Sequence, residues 1–392
     1  MGINSQFQTV IYNKFTGDII RCAPNQYIKS KDRFSKLMAP NGVADLRFFY
    51  WHSAMPVDPA VFKVFVSSPG SPPRLVSNAG DDATLLFLEK EANFTFEHYR
   101  KVAIVFEGGM GDYLDQADVV IALHKKHPEI LLTCLVDMTR AGALQMLEGL
   151  DGVSLKPIND IGGGRSARIE FSSITKVSPA YPPGGKNGVY SAIAGLDQPA
   201  HRCEFALPSA ALLRAKQLLE ARIPGGYTKL VALHTMSGNT NTKSIVPSRV
   251  GRLIAPLLKT KGVYVLHFGG AGETPFDHPR VISLQGSLSW VDVVCTMSFC
   301  DACLCIDSAI MHIAQHLGLR TLALWGPTVP GHILGEDSGV TCIRSTATCR
   351  GCNQYDCDHW SCMDQFDSRR LTLATQKLIR GTNAKILPDD VD

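Results

Sequence analysis

The stretch Cys300–Pro330, CDACLCIDSAIMHIAQHLGLRTLALWGPTVP, decides the reading of this chain. Ala302–Ile306 is an unbroken apolar run of strand length. Asp307-Ser308 is a polar turn, and Ala309–Leu317 has helical periodicity. Gly318 stops the helix, Thr321–Trp325 is a second buried strand, and Gly326-Pro327-Thr328 turns the chain again. Together these make one βαβ unit with its turn chemistry in place. Asp307 and Ser308 fall where a strand's carboxyl end meets a helix N-terminus. That position favours an anion, because free N–H groups and the helix dipole converge there. It is also where an ordinary Asp/Ser helix cap sits, and spacing alone leaves both duties open.

Working outward, strands and helices alternate from Lys101 onward. Lys101–Phe106 reads as a strand, Glu107–Asp112 as a glycine-rich turn and Tyr113–His127 as a helix. Ile130–Val136 is a strand, Arg140–Leu150 a helix and Val153–Pro157 a strand. Two Gly/Pro-rich loops, Asn159–Arg165 and Tyr181–Gly188, suit either a substrate loop or a linker. Ser209–Arg222 is a strong helix. A second α/β series follows, with strands at Lys229–His234, Val263–Phe268, Ala302–Ile306 and Thr321–Trp325 and a helix over Leu288–Phe299. The first hundred residues differ. Short alternating runs at Phe7–Tyr12, Asp18–Cys22, Leu46–Trp51, Val61–Ser67, Thr84–Leu88 and Phe94–His98 predict a small antiparallel β domain.

The expected fold is therefore α/β, with two Rossmann-like domains preceded by a small β-rich N-terminal domain. The expected boundaries are 1–100, 101–222, 223–345 and a cysteine-rich 346–392. A chain of 392 residues has room for such a division. Its net charge of +3 and lack of Lys/Arg runs give no footprint for nucleic acid, yet suit an anionic nucleotide. No secretory segment or membrane-length apolar run is present, so a cytoplasmic protein is expected. Twelve cysteines then read as buried thiols or metal ligands rather than disulfides.

Four constellations carry chemistry. In Glu107-Gly108-Gly109-Met110-Gly111-Asp112 the glycines Gly108, Gly109 and Gly111 permit a sharp turn and close approach of a ligand to the backbone. A structural turn explains that motif equally well. Asp115 and Asp118 follow on the next helix and read as a solvated face. The second constellation, His234-Thr235-Met236-Ser237-Gly238 through Lys243, places Thr235 and Ser237 hydroxyls and a lysine after a strand, a pattern that holds phosphate. Lys243 on a solvated surface is its plain alternative. The third is Asp307-Ser308-Ala309, with His312 one helical turn on and read as a packed histidine. The fourth is Cys349-x₂-Cys352-x₄-Cys357-x₄-Cys362, four thiolates able to complete a tetrahedral structural site for iron or zinc. Cys295, Cys300, Cys303 and Cys305 fall on apolar elements and read as core residues. Asp356-x-Asp358 lies inside the cysteine cluster and Asp390-x-Asp392 at the C-terminal end, so neither is placed for a catalytic cation.

The order of these motifs resembles glycosyltransferase family 9, the ADP-heptose heptosyltransferases, over about residues 101–365. The carriers are the Gly-x-Gly-Asp turn, the Ser/Thr loop with its lysine, the Asp-Ser-x-x-Met-His helix with Gly-Pro-Thr, and the cysteine finger ending in Cys362-Met363. The run Lys243-Ser244-Ile245-Val246-Pro247 departs from that family, which places a Trp-Pro soon after the lysine. The resemblance implies a GT-B architecture and an inverting transfer without a catalytic metal. Asp112 would be the general base. Lys243, Thr235 and Ser237 would serve the diphosphate, Asp307 the sugar hydroxyls, and Ser308 with Ala309 the phosphate N–H contacts. It further implies ADP-heptose as donor, and a protein Ser/Thr or glycan hydroxyl as acceptor. In the autotransporter heptosyltransferase branch an extra N-terminal domain, an iron-holding finger and a homo-oligomer accompany this plan. The rival expectation is a degenerate transferase serving as a nucleotide- or nucleic-acid-binding or assembly protein, or a transferase acting on a modified nucleic acid.

Overall fold

A computed structural model describes residues 8–13, 19–22, 62–67 and 74–75, and residues 101–380 except 159, 161–166, 171–184, 195, 197, 239–240, 336–337, 353–356 and 358–360. Near the start, β1 (Gln8–Asn13), β2 (Ile19–Cys22), β3 (Phe62–Ser67) and β4 (Arg74–Leu75) form an antiparallel sheet in the order β2-β1-β3-β4. Three of the expected strands are thus present. Leu46–Trp51, Thr84–Leu88 and Phe94–His98 lie outside the described residues.

A parallel four-stranded sheet follows, ordered β7-β6-β5-β8, from β5 (Lys101–Val105), β6 (Leu131–Val136), β7 (Val153–Pro157) and β8 (Ala167–Glu170). Helix α1 (Met110–Lys126) crosses from β5 to β6, and α2 (Gly185–Ile193) and α3 (Ser209–Arg222) lead onward. A parallel six-stranded sheet comes next, ordered β11-β10-β9-β12-β13-β14. Its strands are β9 (Lys229–His234), β10 (Val263–Phe268), β11 (Val281–Ser283), β12 (Ala302–Ile306), β13 (Arg320–Trp325) and β14 (Val340–Arg344). Helices α4 (Pro247–Leu258), α5 (Trp290–Met297), α6 (Ala309–His316), α7 (Pro330–Ile333) and α8 (Ser368–Arg380) complete this part. The Val/Leu/Ile/Cys content of β9, β10, β12 and β13 fits strands covered on both faces.

The strand orders locate the site. In the second sheet the chain runs outward through β9, β10 and β11. It then returns to lay β12 on the other side of β9 and continues through β13 to β14. The order reverses between β9 and β12. In the first sheet it reverses between β5 and β8. Ligands of open α/β sheets bind in the crevice at such reversals, beyond the strands' carboxyl ends.

Three expectations are corrected. Arg140–Leu150 is not an α-helix but two 3₁₀ turns, Ala141–Ala143 and Gln145–Leu147. Gly142 and Gly149 weaken helix there, and Ala141, Ala143, Leu144, Met146 and Leu147 are all buried, leaving no single apolar stripe. The loop Tyr181–Gly188 runs into helix α2 from Gly185. Asp115 and Asp118 do not form a solvated face: both are buried beneath α6. Asp115 Oδ1 lies 3.3 Å from His312 Nδ1, and Asp118 Oδ1 lies 3.0 Å from His316 Nε2. The histidines stand one turn apart on α6 and meet carboxylates three residues apart on α1, so two buried acid–histidine pairs join the two sheet systems. The exposed pair Arg214–Asp292, at 2.6 Å, joins α3 to α5.

Candidate active site

The loop after β5 is fixed by its own backbone and side chains. Gly108 has φ +99, and a Cβ there would meet the Asp112 carboxylate at 2.5 Å, so glycine is required. A Cβ on Gly111 would meet the His312 ring at 2.6 Å, so this glycine lets α6 approach. Gln116 braces the turn, donating Nε2–H to the Glu107 carbonyl at 2.7 Å and accepting from Glu107 N–H at 3.2 Å. The Arg140 guanidinium donates to the Gly108 carbonyl and lies 5.0 Å over the Tyr113 ring.

Asp112 is the third residue of α1, and its Oδ2 accepts from the Gly109 N–H at 2.7 Å, closing the helix N-terminus. Its Oδ1 accepts from Lys186 Nζ at 2.5 Å and from Tyr190 Oη–H at 3.1 Å. Burial works to raise this carboxyl. The charge and hydrogen bond of Lys186, with the Gly109 N–H, outweigh it and hold the pKa at about 2. Burial acts against the charged form of Lys186 too, but Asp112 holds its pKa well above the usual lysine range.

Across the cleft, the Asp307-Ser308 turn is held by side chains from several segments. Ser308 occupies the cap position of α6, yet its hydroxyl makes no cap bond and instead meets His234 Nδ1 at 2.9 Å. Asp307 Oδ2 accepts from Lys243 Nζ at 3.2 Å and from Thr328 Oγ1 at 2.8 Å. Burial again works upward, and the charges of Lys243 and Lys186 with the Thr328 bond bring the carboxyl below its ordinary value. His234 is kept neutral, its pKa lowered to about 3 by burial and then by His267 and Lys243. Ser237 donates its N–H to Ser244 Oγ at 2.9 Å, and Thr235 is buried with its Oγ1 3.0 Å from His267 Nε2.

A cavity of about 430 Å³ lies between the two sheets. Asp112, Arg140 and Lys186 come to it from the first sheet's side, and Ser237, Lys243, Asp307, Ser308 and Ala309 from the second's. Gly109 and Gly111 also line it, whereas Gly108 and Thr235 stand behind it. Sequence reading missed part of this wall. Lys186 and Tyr190 stand in or beside a stretch read as loop. Glu273 follows a Gly-Gly-Ala-Gly turn after β10, and Gly269, Gly270, Glu273 and Trp290 line the cavity's second-sheet side. Glu273 Oε1 accepts from the Gly270 N–H at 2.6 Å, while Oε2 is buried without a hydrogen-bond partner. The turn glycines after β10, so close in kind to those after β5, were the available signal.

The cysteine finger lies apart from this cavity. Cys362 is buried and packs with Met363 against Gly326, while Cys349 and Cys352 are exposed. Burial, and then the charges of Cys349, Cys352 and Cys357, push the Cys362 thiol up to about 11. The all-thiol donor set fits iron or zinc. Among the described residues, a group whose ligand atoms all lie within 4.8 Å of one another is Asp118, Cys203 and His316; the finger's sulfurs do not close to that spacing. Asp118, Cys203 and His316 are already bonded together. Asp118 Oδ1 accepts from the Cys203 N–H at 3.0 Å, and His316 Nδ1 lies 2.8 Å from the His312 carbonyl. Cys295, Cys300, Cys303 and Cys305 are buried in the core, as expected.

Residues 275–361, which include Asp307, Ser308 and three of the finger cysteines, match the family model "Glycosyltransferase family 9 (heptosyltransferase)". Over that segment the chain is similar to glycosyltransferase family 9. No curated protein sequence gives a significant match. The fold is that of solved family 9 structures. TibC from enterotoxigenic E. coli, a bacterial iron-containing dodecameric glycosyltransferase, superposes with a TM-score of 0.55 at 11% identity, covering 97% of this chain and 92% of that one. The same protein, described as a heptosyltransferase in complex with ADP-D-β-D-heptose, gives 0.55 at 12% identity over 97% and 93%. The E. coli ADP-heptose lipopolysaccharide heptosyltransferase II gives 0.53 at 15% identity, covering 71% of this chain and 98% of that one. The two parallel-sheet units thus share the GT-B-like fold of these structures. Among the described residues no helix is long and apolar enough to cross a membrane.

Proposed function

We propose that the cavity binds a nucleotide sugar, with ADP-heptose the leading donor, and that the protein transfers the sugar with inversion to a hydroxyl of a protein or glycan. The observation that carries this is the meeting of two carboxylate–lysine pairs, Asp112–Lys186 and Asp307–Lys243, across one cavity at two strand-order reversals. The donor's diphosphate lies at the start of α6, where Ser308, Ala309 and Ile310 line the wall and helix N–H groups favour an anion. Lys243 and Ser237 flank it. Asp307 accepts from sugar hydroxyls. The unpartnered Glu273 Oε2 suits a ribose hydroxyl, with Trp290 available to the base.

In the transfer, the acceptor oxygen attacks the anomeric carbon from the side of Asp112. The bond from that carbon to the phosphate oxygen breaks, and the nucleoside diphosphate departs with the electron pair. Asp112 takes the acceptor's proton, a service that contributes about 10²–10⁴-fold. The cations and helix N–H groups stabilise the departing charge, the largest charge change in the reaction. Heptose as the sugar is supported by the likeness to TibC with ADP-D-β-D-heptose and to heptosyltransferase II. Cys349, Cys352, Cys357 and Cys362 would hold an iron or zinc ion that fixes the C-terminal finger against the Gly326 turn. The dodecameric TibC makes a homo-oligomer the natural assembly to test. Localisation in the cytoplasm, where nucleotide sugars are made, completes the reading.

The test is to incubate the protein with ADP-, GDP- and UDP-linked sugars, an extract supplying acceptors, and a readout of released nucleoside diphosphate. ADP-heptose should be consumed, with heptose appearing on a macromolecule. Turnover of none of the donors, by folded protein, overturns the proposal.

A further inference from the structure

Asp112, as the structure holds it, is poorly disposed to act as a base. Its Oδ1 is taken by both the Lys186 ammonium and the Tyr190 hydroxyl, and its Oδ2 by the Gly109 N–H. Both Lys186 and Asp112 are 17% exposed, so this is a largely desolvated ion pair facing the cavity. An acceptor hydroxyl arriving at Oδ1 would have to displace a cation. Lys186 also feels the charge of Asp307 across the cleft, as Asp307 feels that of Lys186. Lys186, Asp112 and Asp307 all line the one cavity, the space that the proposed donor diphosphate enters.

We infer that Lys186 is a donor-responsive cation: it occupies Asp112 in the empty protein and transfers to the diphosphate of an arriving nucleotide sugar, freeing Asp112 Oδ1 for the acceptor hydroxyl. The inference rests on the donor site proposed above and adds an order to it, donor before base. A diphosphate offers two or more charges where Asp112 offers one, so the exchange is favoured once the donor is seated. When Lys186 leaves, Asp112 loses the charge and hydrogen bond that hold its carboxyl low, and its basicity rises. Lys186 lies in the first turn of α2, at the end of a stretch of chain rich in glycine and proline, so its ammonium is carried on a flexible four-carbon stem from a short element. The device keeps the base covered while no donor is present.

The consequence is a sign that an ordinary structural ion pair does not give. In the empty protein Asp112 competes with the nucleotide for Lys186. Neutralising the carboxylate releases the cation and tightens nucleotide binding, although a charged cavity residue has been removed.

The experiment is calorimetric titration of the full-length protein with ADP, GDP and UDP, using wild type, Asp112→Asn, Lys186→Met, Lys186→Arg and the double variant Asp112→Asn/Lys186→Met. Circular dichroism and thermal midpoints confirm folding. Asp112→Asn should tighten binding of the preferred diphosphate by about 3–10-fold, and Lys186→Met should weaken it by about 10-fold or more. Lys186→Arg should restore most of the affinity. In the double variant the gain from Asp112→Asn should vanish, because no lysine remains to be released. If Asp112→Asn leaves affinity unchanged or lowers it, or if its gain persists without Lys186, the exchange is wrong while the donor site stands. If wild type binds none of the three diphosphates, the donor site itself fails and the exchange falls with it.

Discussion

The two sides of the cleft carry the same device with different settings. On each, a strand ends at an order reversal, a carboxylate sits just beyond it, and a lysine from another segment pairs with that carboxylate. Asp307 is the deeper of the two, with 8% side-chain exposure against 17% for Asp112, and its lysine stands at 3.2 Å rather than 2.5 Å. Thr328 is its second partner, a residue fixed on the rigid turn after β13. Asp112, on α1, is instead held by Lys186 and Tyr190, both on α2, an element the chain reaches after a long connection. The deep, rigidly held pair suits ground-state binding of a donor. The shallower pair, closed by a lysine on a short helix, suits a group that has to change partners during a reaction.

That contrast can be broken most sharply by removing each charge in turn. Asp112→Asn should lower the rate of sugar transfer by about 10²–10⁴-fold while donor binding tightens, measured as nucleoside diphosphate release under saturating donor. Asp307→Asn should act on the other quantity, weakening the nucleotide sugar by about 10–100-fold in titrations. Equal effects of both variants on affinity would erase the distinction between a donor carboxylate and a base.

The pairs that hold the two sides together come next. His316→Gln leaves Asp118 buried without its cation, a change that costs about 3–5 kcal/mol for buried pairs. It should show as a lowered thermal midpoint. The pH dependence carries a sign. Burial acts to lower the His316 pKa, but Asp118 and the His312 carbonyl raise it above 6.5. Its contribution is fully present below pH 6.5 and is lost as pH rises through the elevated folded value. Wild type should lose stability over that interval, and His316→Gln should lose less. An equal slope in both proteins would remove His316 from the account of the interface.

A smaller effect is expected from Glu273. Glu273→Gln keeps the shape and removes the charge, and should weaken an ADP-linked donor by about 3–10-fold while leaving inorganic diphosphate binding unaltered. Equal weakening of both ligands would place Glu273 with the phosphates rather than the ribose. The finger should contribute least to chemistry. Metal analysis of the purified protein should find iron or zinc near one per chain, and Cys349→Ser/Cys352→Ser should remove it. Turnover per folded chain should change by less than about tenfold. Metal content unaffected by that double variant would disconnect the ion from the finger.

The comparison also explains what could be read in the sequence. Asp307 was legible because a buried strand, a polar turn, an amphipathic helix and a stopping glycine stand in a row, all within one βαβ unit. Asp112 stands after a glycine turn that a structural turn explains equally well, and the family resemblance singled it out. Lys243 follows its strand by nine residues, and its run to Pro247 departs from the family pattern, so its pairing with Asp307 is visible only in the fold. Lys186 was not legible, because its partner lies 74 residues earlier in the chain and its surroundings, YPPGGKNG, carry loop punctuation rather than helix periodicity. Asp115 and Asp118 were misread for a related reason. Polar residues three apart on a helix look like a water-facing side until a second helix, almost two hundred residues on, brings histidines to them. Local order is written in local pattern. Partnerships across the cleft arise only when the two sheets meet.

The most direct measurement is an experimental structure of the wild-type protein with ADP-D-β-D-heptose. The expected result has the diphosphate at the N-terminus of α6 beside Ser308 and Lys243, and the heptose hydroxyls at Asp307. The anomeric carbon should face Asp112 with room for one hydroxyl within about 3 Å of its carboxylate, and the Lys186 ammonium should be on the phosphates. A nucleotide bound outside this cavity, or a heptose whose anomeric carbon is turned away from Asp112, would contradict it.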